Sequence, residues 1–323
     1  WDDVAEERFT LDEIDLKTIE KFKKLAKDRV PDIVNEDNLE ELLRKLNLYD
    51  ENYLKRAAIL LFGKNPQQYY IQSHSKIGRF LSETDIQSSD IVEGNLINQV
   101  DMILDILRLK YLKAYISYEG VHRREKLEYP YEALREAIIN ALIHRDYTNT
   151  SNLQIRVYDD KLVLYNGATL NPEVPIEKFD KPHQSKPFNP TMASVFYKCG
   201  FIENWGKGTI NIINECLEYG LPKPTFEYEW EAVRTTFYKR VENEIIDVGV
   251  NVGVNVGVNV GVNVGVNEIY EYIKQNQPIR AKAISNHFPQ ITQRTIERYI
   301  KQLKDENKIE FRGIPKTGGY YAK

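Results

Sequence analysis

Apolar residues recur along the chain with two different periods. In residues 131–144, Ala133, Leu134, Ala137, Ile138, Ala141 and Leu142 stand at i, i+1, i+4, i+5, i+8 and i+9, which predicts a helix with one broad buried face. Helical spacing also marks residues 16–28, 39–46, 95–115, 191–198 and 209–218, the last stopped by Gly220 and Pro222. Alternation or short apolar runs predict strands at 57–62, 70–71, 76–80, 153–158, 161–165, 226–230 and 234–238. The strands at 153–158 and 161–165 face each other across Asp159-Asp160. The body is therefore expected to be α/β, an α+β sandwich with a mixed, mostly antiparallel sheet.

The pattern changes at residues 248–267, where the tetrad Val-Gly-Val-Asn is repeated five times. Its period of two suits a strand, but Gly and Asn disfavour strands and identical tetrads leave register undetermined. It reads as a linker, with a strand paired to its copy in a second chain as the alternative. Three helical runs follow, at 268–275, 280–287 and 292–307, then two strands at 308–312 and 319–322. In the third helix Ile296, Ile300 and Leu303 face inward, while Arg294, Arg298 and Lys301 share another face. Three helices and a hairpin are the winged helix-turn-helix order, and the segment resembles the small winged modules that end many bacterial transcription regulators. In that reading Gln293 and Thr295 reach base edges, Arg294, Arg298 and Lys301 reach bases or phosphates, and Arg312 and Lys316 are wing contacts to phosphate. Charge agrees. From Glu268 onward there are 11 Lys/Arg against 6 Asp/Glu, so a chain of net charge −4 carries +5 in its tail and −9 elsewhere. The expected divisions are 1–56, 57–240, 241–267 and 268–323, and the expected partners are double-stranded DNA and a second copy of the chain.

Composition narrows the classes. With 42% hydrophobic and 28% charged residues the chain can bury a core. No apolar run approaches the roughly 18 residues a membrane helix needs, so no membrane partner is expected. Cys199 and Cys216 are the two cysteines, too few for a disulfide scaffold, and a reducing cytoplasmic setting is expected. The chain begins at Trp1 without an initiator Met, which reads as a fragment of a longer chain or a trimmed one.

Candidate chemistry gathers around the helix at 131–144. Glu136 and Asn140 are four apart, one turn above the other. An amide oxygen suits a hard cation such as Mg²⁺, and a carboxylate can orient an attacking water; polar residues at the edge of a core helix are the alternative. Asn166-Gly167 then follows a strand, and Gly206-Lys207-Gly208 precedes a helix, whose free amides favour phosphate. Between them, residues 179–190 have the composition of a mobile lid.

This order resembles the GHKL ATPase superfamily of gyrase, heat-shock chaperone, histidine kinase and MutL. More closely, Glu136-x-x-x-Asn140-Ala141-x-x-His144-Arg145-Asp146-Tyr147, then Asn189-Pro190, then Gly200-Phe201-Ile202-Glu203-x-Trp205-Gly206-x-Gly208 resembles the divergent GHKL group of bacterial regulators related to the C-terminal part of RecG helicase. Residues 1–56 resemble the trailing edge of the Schlafen-like AlbA domain that commonly precedes it. The resemblance implies a Bergerat-like fold and ATP with Mg²⁺ as cofactors. It implies Asn140 as the Mg²⁺ ligand, Glu136 as general base, Asn166 and Gly167 at the adenine-side turn, and Gly206, Lys207 and Gly208 at the phosphates. One position departs: an Asp that accepts from the adenine amino group is replaced by Asn166, and Gly167-Ala168 brings no second Gly. An amide accepts without charge, which implies occupancy rather than fast hydrolysis.

Three decoys fail. Gly200 to Gly206-Lys207 has five intervening residues where a P-loop has four, and Gly208 stands where its Ser/Thr belongs. His144-Arg145-Asp146 lacks the Asn that a kinase catalytic loop has five residues on, since residue 151 is Ser. The five His and two Cys show no metal spacing. The expected function is a DNA-binding transcriptional regulator with a nucleotide-binding body. The alternatives are a slow Mg²⁺-dependent ATPase acting on DNA and a decayed dimerisation scaffold.

Overall fold

The computed structural model describes residues 1–50, 52–119, 122–170, 174–182, 184, 186–203, 206–240, 266–288, 293–305, 308–313 and 318–322. The chain divides into two compact units, Trp1–Val241 and Glu242–Lys323. The Val-Gly-Val-Asn repeat lies outside the described residues except for Val266 and Asn267, which begin a helix.

The first unit opens on β1 (Ala5–Glu6), α1 (Leu16–Ala26), α2 (Pro31–Val34), α3 (Leu39–Lys45), β2 (Tyr49–Asp50), β3 (Tyr53–Lys55) and α4 (Arg56–Phe62). The three short strands form a sheet in the order β1-β3-β2. Next come β4 (Ser75–Phe80), β5 (Ile86–Val92), α5 (Leu96–Ile106), β6 (Ala114–Glu119), β7 (His122–Leu127), α6 (Tyr131–His144), β8 (Leu153–Val157) and β9 (Lys161–Gly167). The unit ends with α7 (Pro190–Lys198), α8 (Gly208–Glu218), β10 (Thr225–Glu229) and β11 (Ala232–Tyr238). Six strands form the main sheet in the order β10-β11-β9-β8-β4-β5. Every pairing in it is antiparallel except β4 with β8. This is the mixed, mostly antiparallel sheet that alternation along the chain predicts. One hydrophobic cluster runs from Phe9 and Phe22 through α4, α5 and α6 to Phe196 and Phe237, crossing position 56 without interruption.

Three local expectations are corrected. Residues 57–62 form most of helix α4, not a strand. All six side chains of Ala-Ala-Ile-Leu-Leu-Phe are buried, and a run without a polar face carries no period to separate helix from strand. Residues 70–71 are not a strand either: Ile71–Ser73 is a 3₁₀ turn. The helix expected over 95–115 ends sooner. α5 stops at Ile106, a π-helical turn covers Leu107–Tyr111, and β6 begins at Ala114. The Tyr111 hydroxyl bonds the Asp90 carboxylate and the Ile77 carbonyl oxygen on β5 and β4, which draws the chain out of the helix. β6 and β7 then form a separate two-stranded hairpin. Its base rests on the end of α8, where the Tyr219 hydroxyl donates to Leu127 O at 2.8 Å and Lys126 Nζ lies 4.0 Å from the Tyr219 ring centre.

The second unit contains α9 (Val266–Gln275), α10 (Ala281–His287), α11 (Gln293–Asp305), β12 (Ile309–Arg312) and β13 (Gly319–Ala322). Ile269, Ile273, Ile284, Ile296, Ile300, Leu303 and Ile309 form its own core. The two strands pair antiparallel, and Tyr320 also bridges Ile279. It is three helices followed by a hairpin.

The end of α6 is held from α7. Asn189, fully buried, donates from Nδ2 to Ile143 O and Arg145 O at 2.7 Å each. These are terminal carbonyls with no partner inside their own helix. Asn189→Ala strands two buried acceptors and is expected to destabilise the first unit by about 2–4 kcal/mol, read as a lowered urea midpoint. An unchanged midpoint would show that these carbonyls find other donors.

Candidate functional site

Helix α6 buries Ala133, Leu134, Ala137, Ile138, Ile139, Ala141, Leu142 and Ile143. Glu136 and Asn140 are left on the edge of that face, half-buried, and Asn140 Nδ2 donates to Glu136 Oε1 at 3.2 Å. Helix α8 packs against α6, and Gly208 is the reason it comes so near. A Cβ at 208 would stand 2.4 Å from Glu136 Oε1 and 2.8 Å from Asn140 Nδ2. Gly208 is also the first residue of α8, and Lys207 before it makes no side-chain cap. The first residue of this 11-residue helix, at its positive dipole end, therefore packs against the carboxylate–amide pair. Gly206 takes the left-handed conformation, φ +63°, which a side chain would strain.

These groups open on a cavity of about 590 Å³, within the range that holds small ligands. Its sheet wall is built from alternate residues of neighbouring strands: Leu164 and Asn166 from β9, Val233 and Thr235 from β11, and Phe226 from β10. Residues 168–170 and Ile202, Glu203 and Gly206 complete the rim, and Phe179, Gln184, Lys186, Pro187 and Phe188 come from the stretch read as a lid. The wall is mostly apolar, with two exceptions that stand out. Asn166 is 4% exposed, and its Oδ1 has no hydrogen-bond partner among the described residues. The buried Thr209 Oγ1 has none either. A buried acceptor without a donor is costly unless a ligand or water supplies one.

Burial raises the Glu136 carboxyl above its ordinary 4.5; the Asn140 hydrogen bond opposes this without cancelling it. Asp146 moves the other way. Burial pulls it upward, but hydrogen bonds from the Thr148 amide and hydroxyl, the Thr169 hydroxyl and the Asn149 amide outweigh that and hold it below the usual range.

The sequence candidates thus separate. Glu136, Asn140, Asn166, Gly206 and Gly208 line one cavity. Lys207 lines a neighbouring, more polar cavity of about 460 Å³ with Arg29, Arg135 and Glu203, which Glu136 and Gly208 also border. Gly167 is buried in β9, its Cβ position 3.3 Å from the Asn149 side chain, and does not line the cavity. Thr209, Thr235 and Gln184 are cavity residues that sequence reading missed; Thr209 was signalled by its place next to Gly206-Lys207-Gly208. The His144-Arg145-Asp146-Tyr147 block is mostly internal bracing. Arg145 is fully buried and donates to the Gln72 and Ser151 carbonyls, and the Tyr147 hydroxyl donates to Leu142 O at 2.9 Å.

In the second unit, Gln293, Arg294, Thr295 and Arg298 lie on α11 with side chains outside the described residues, as does Lys316 entirely. Lys301 is exposed on α11. Arg312, at the end of β12, is exposed and paired with Glu310.

Comparison with known proteins bears on this geometry. Residues 150–237 match the family described as "Putative ATP-dependent DNA helicase recG C-terminal". The match supports an ATPase-like, RecG-related domain in this region of mixed α/β fold, and it begins after the helix that carries Glu136 and Asn140. Residues 2–77 match a family described as a domain of unknown function, DUF8451. No curated protein matches the chain. Among solved structures, the DIP2311 protein from Corynebacterium diphtheriae is similar at a TM-score of 0.61 and 18% identity, covering 100% of this chain and 64% of that one. At that identity the likeness is one of fold. Among the described residues no helix is long and apolar enough to cross a membrane, and no group of three or more His, Cys, Asp or Glu is placed to hold a metal ion.

A raised carboxyl favours the protonated form in the folded unit. The stability it contributes is full below the ordinary 4.5 and is lost as pH rises through the raised value. Glu136→Gln cannot ionise, so it is expected to melt above wild type at about pH 8, with the difference shrinking toward about pH 4. A difference that does not change with pH would show that the carboxylate is not disfavoured.

Proposed function

We propose that the first unit binds ATP with Mg²⁺ and that the second is a winged helix-turn-helix that binds double-stranded DNA, so that the protein is a nucleotide-responsive DNA-binding regulator. The observation that carries the reading is the contact at Gly208, where the first residue of α8 packs against Glu136 and Asn140 at the edge of the cavity. Phosphate oxygens fit the opening amides of α8. Asn140 offers a neutral oxygen to Mg²⁺, which needs few protein ligands when phosphates supply others. The ion would neutralise phosphate charge. Glu136, with its raised carboxyl, orients water. The Asn166 oxygen accepts from the base, and Leu164, Phe226 and Val233 enclose it in an apolar wall. An amide in place of a carboxylate at the base supports occupancy over rapid turnover. The match to an ATPase-like family over residues 150–237 supports the same reading.

For the second unit the supporting observations are its three helices and hairpin, its independent core and its surplus of positive charge. A homodimer would bring two α11 helices to a two-fold site.

Calorimetry with ATP and Mg²⁺ on the full chain tests the nucleotide reading. Wild type is expected to bind, and Gly208→Ala to lose at least about tenfold in affinity, because the new Cβ displaces the Glu136–Asn140 pair. The displaced atoms are side-chain ends, and alanine is favoured over glycine in a helix by about 1 kcal/mol, so the variant is expected to melt close to wild type. Wild type giving no heat at millimolar ATP would reject a nucleotide role. For DNA, affinity for a duplex is expected to fall steeply with salt, and Lys301→Ala to lower the log–log salt slope by about one. Binding insensitive to salt, or none to any duplex, would make the second unit a protein-contact module.

A further inference from the structure

Resting on the nucleotide reading above, we propose that Asn166 makes the base pocket accept purine nucleotides of both the 6-amino and the 6-oxo class, ATP and GTP alike, rather than adenine alone. Asn166 is fixed by its backbone in β9, paired with Val233 of β11, and its side chain is almost wholly buried in the cavity wall. Its Oδ1 has no hydrogen-bond partner among the described residues. Among the described residues nothing therefore holds the acceptor end of the amide in place. A carboxylate at this position can only accept, which at the 6-position favours the amino group of adenine and repels the oxo oxygen of guanine. A carboxamide carries an acceptor and a donor side by side. In one orientation Oδ1 accepts from the 6-amino group of adenine and Nδ2 donates to the adjacent ring nitrogen. After a half-turn about the last side-chain torsion, Nδ2 donates to the 6-oxo oxygen of guanine and Oδ1 accepts from the adjacent ring N–H. Each base presents a donor next to an acceptor, in opposite order, and the amide satisfies both.

The apolar part of the wall does not restore selectivity. Leu164, Val233, Ala168 and Phe226 offer no polar side-chain atom, and the Thr169 hydroxyl is spent on the Asp146 carboxylate at 3.3 Å. Discrimination at the 6-position requires a buried group that one base leaves unpaired, and a carboxamide able to turn leaves none of its own unpaired with either.

The experiment is calorimetry of the full chain with ATP and with GTP, each with Mg²⁺, on wild type, Asn166→Asp and Asn166→Ala, with melting temperatures recorded. Wild type is expected to bind the two within about tenfold of each other. Asn166→Asp is expected to shift the ratio toward ATP by at least about tenfold, mainly through lost GTP affinity. Asn166→Ala, which removes donor and acceptor together, is expected to weaken both and leave the ratio near one, and it carries the test should the Asp variant fail to fold. ATP binding with GTP weaker by more than about a hundredfold overturns this inference and leaves the nucleotide reading standing. An Asn166→Asp ratio equal to wild type overturns the assignment to Asn166. Binding of neither triphosphate overturns both readings.

Discussion

The site depends on how closely α8 can cross α6 at Gly208. Glycine is the one residue that lets the start of α8 touch the ends of Glu136 and Asn140, since any Cβ would stand 2.4 Å from the carboxylate oxygen. Glycine at the first position of a helix gives up propensity and rigidity. In return the first turn of α8 is held against a carboxyl whose ionisation burial disfavours. Separating the helices by the width of a methyl group would leave both residues in place and end their proximity.

The cavity wall has a similar economy. Strand alternation on β9 and β11 turns Leu164, Asn166, Val233 and Thr235 toward one side. Apolar positions make most of that side a smooth wall, and the Asn166 amide interrupts them. Its partnerless oxygen is not needed by the fold, because a leucine or valine there would bury its surface at no polar cost. Other buried atoms also lack a partner among the described residues, the Tyr129 hydroxyl and Arg145 Nε among them, and Asn166 is set apart from those two by lining the cavity, while the buried amides of Gln99 and Asn95 are bonded. Gln99, wholly buried, bonds Ser75, the Ser73 carbonyl and the Gly94 carbonyl. Asn95 bonds Thr18 and the Gly63 carbonyl.

Much of this was legible in the chain. The i, i+4 spacing of Glu136 and Asn140 beside an apolar face required that they neighbour each other, and Gly206-Lys207-Gly208 marked a helix start. The six-residue core of α4 was not legible, because a segment buried on every side has no amphipathic period. The hairpin of β6 and β7 was missed for the opposite reason. Its residues alternate Tyr, Ile, Arg and Glu without a consistent apolar face, since it packs as a pair of strands outside the main sheet. Lys207 could not be separated from its glycine neighbours by spacing. Side-chain direction depends on the turn that precedes α8, and there it points Lys207 into the adjoining cavity.

The His144-Arg145-Asp146-Tyr147 block shows how a motif can be distinctive without being chemical. Only His144 lines the cavity. Arg145 ties the carbonyls of Gln72 and Ser151, Asp146 organises the turn through Thr148 and reaches Thr169, and Tyr147 folds back on Leu142 and stacks on Trp1 at 5.7 Å. Trp1 in turn lies under Arg56 at the start of α4, and Asp2 accepts from the Met192 amide at 2.9 Å in the first turn of α7. The region 2–77 and the ATPase-like region 150–237 are therefore joined through the end of α6, one turn from Asn140. These contacts run through the buried Arg145, Tyr147 and Asp2 and the half-buried Trp1 and Arg56. With Arg145 and Tyr147 closely packed at that end, a shift of α6 against α8 would have to be met by rearranging contacts that reach the N-terminal segment.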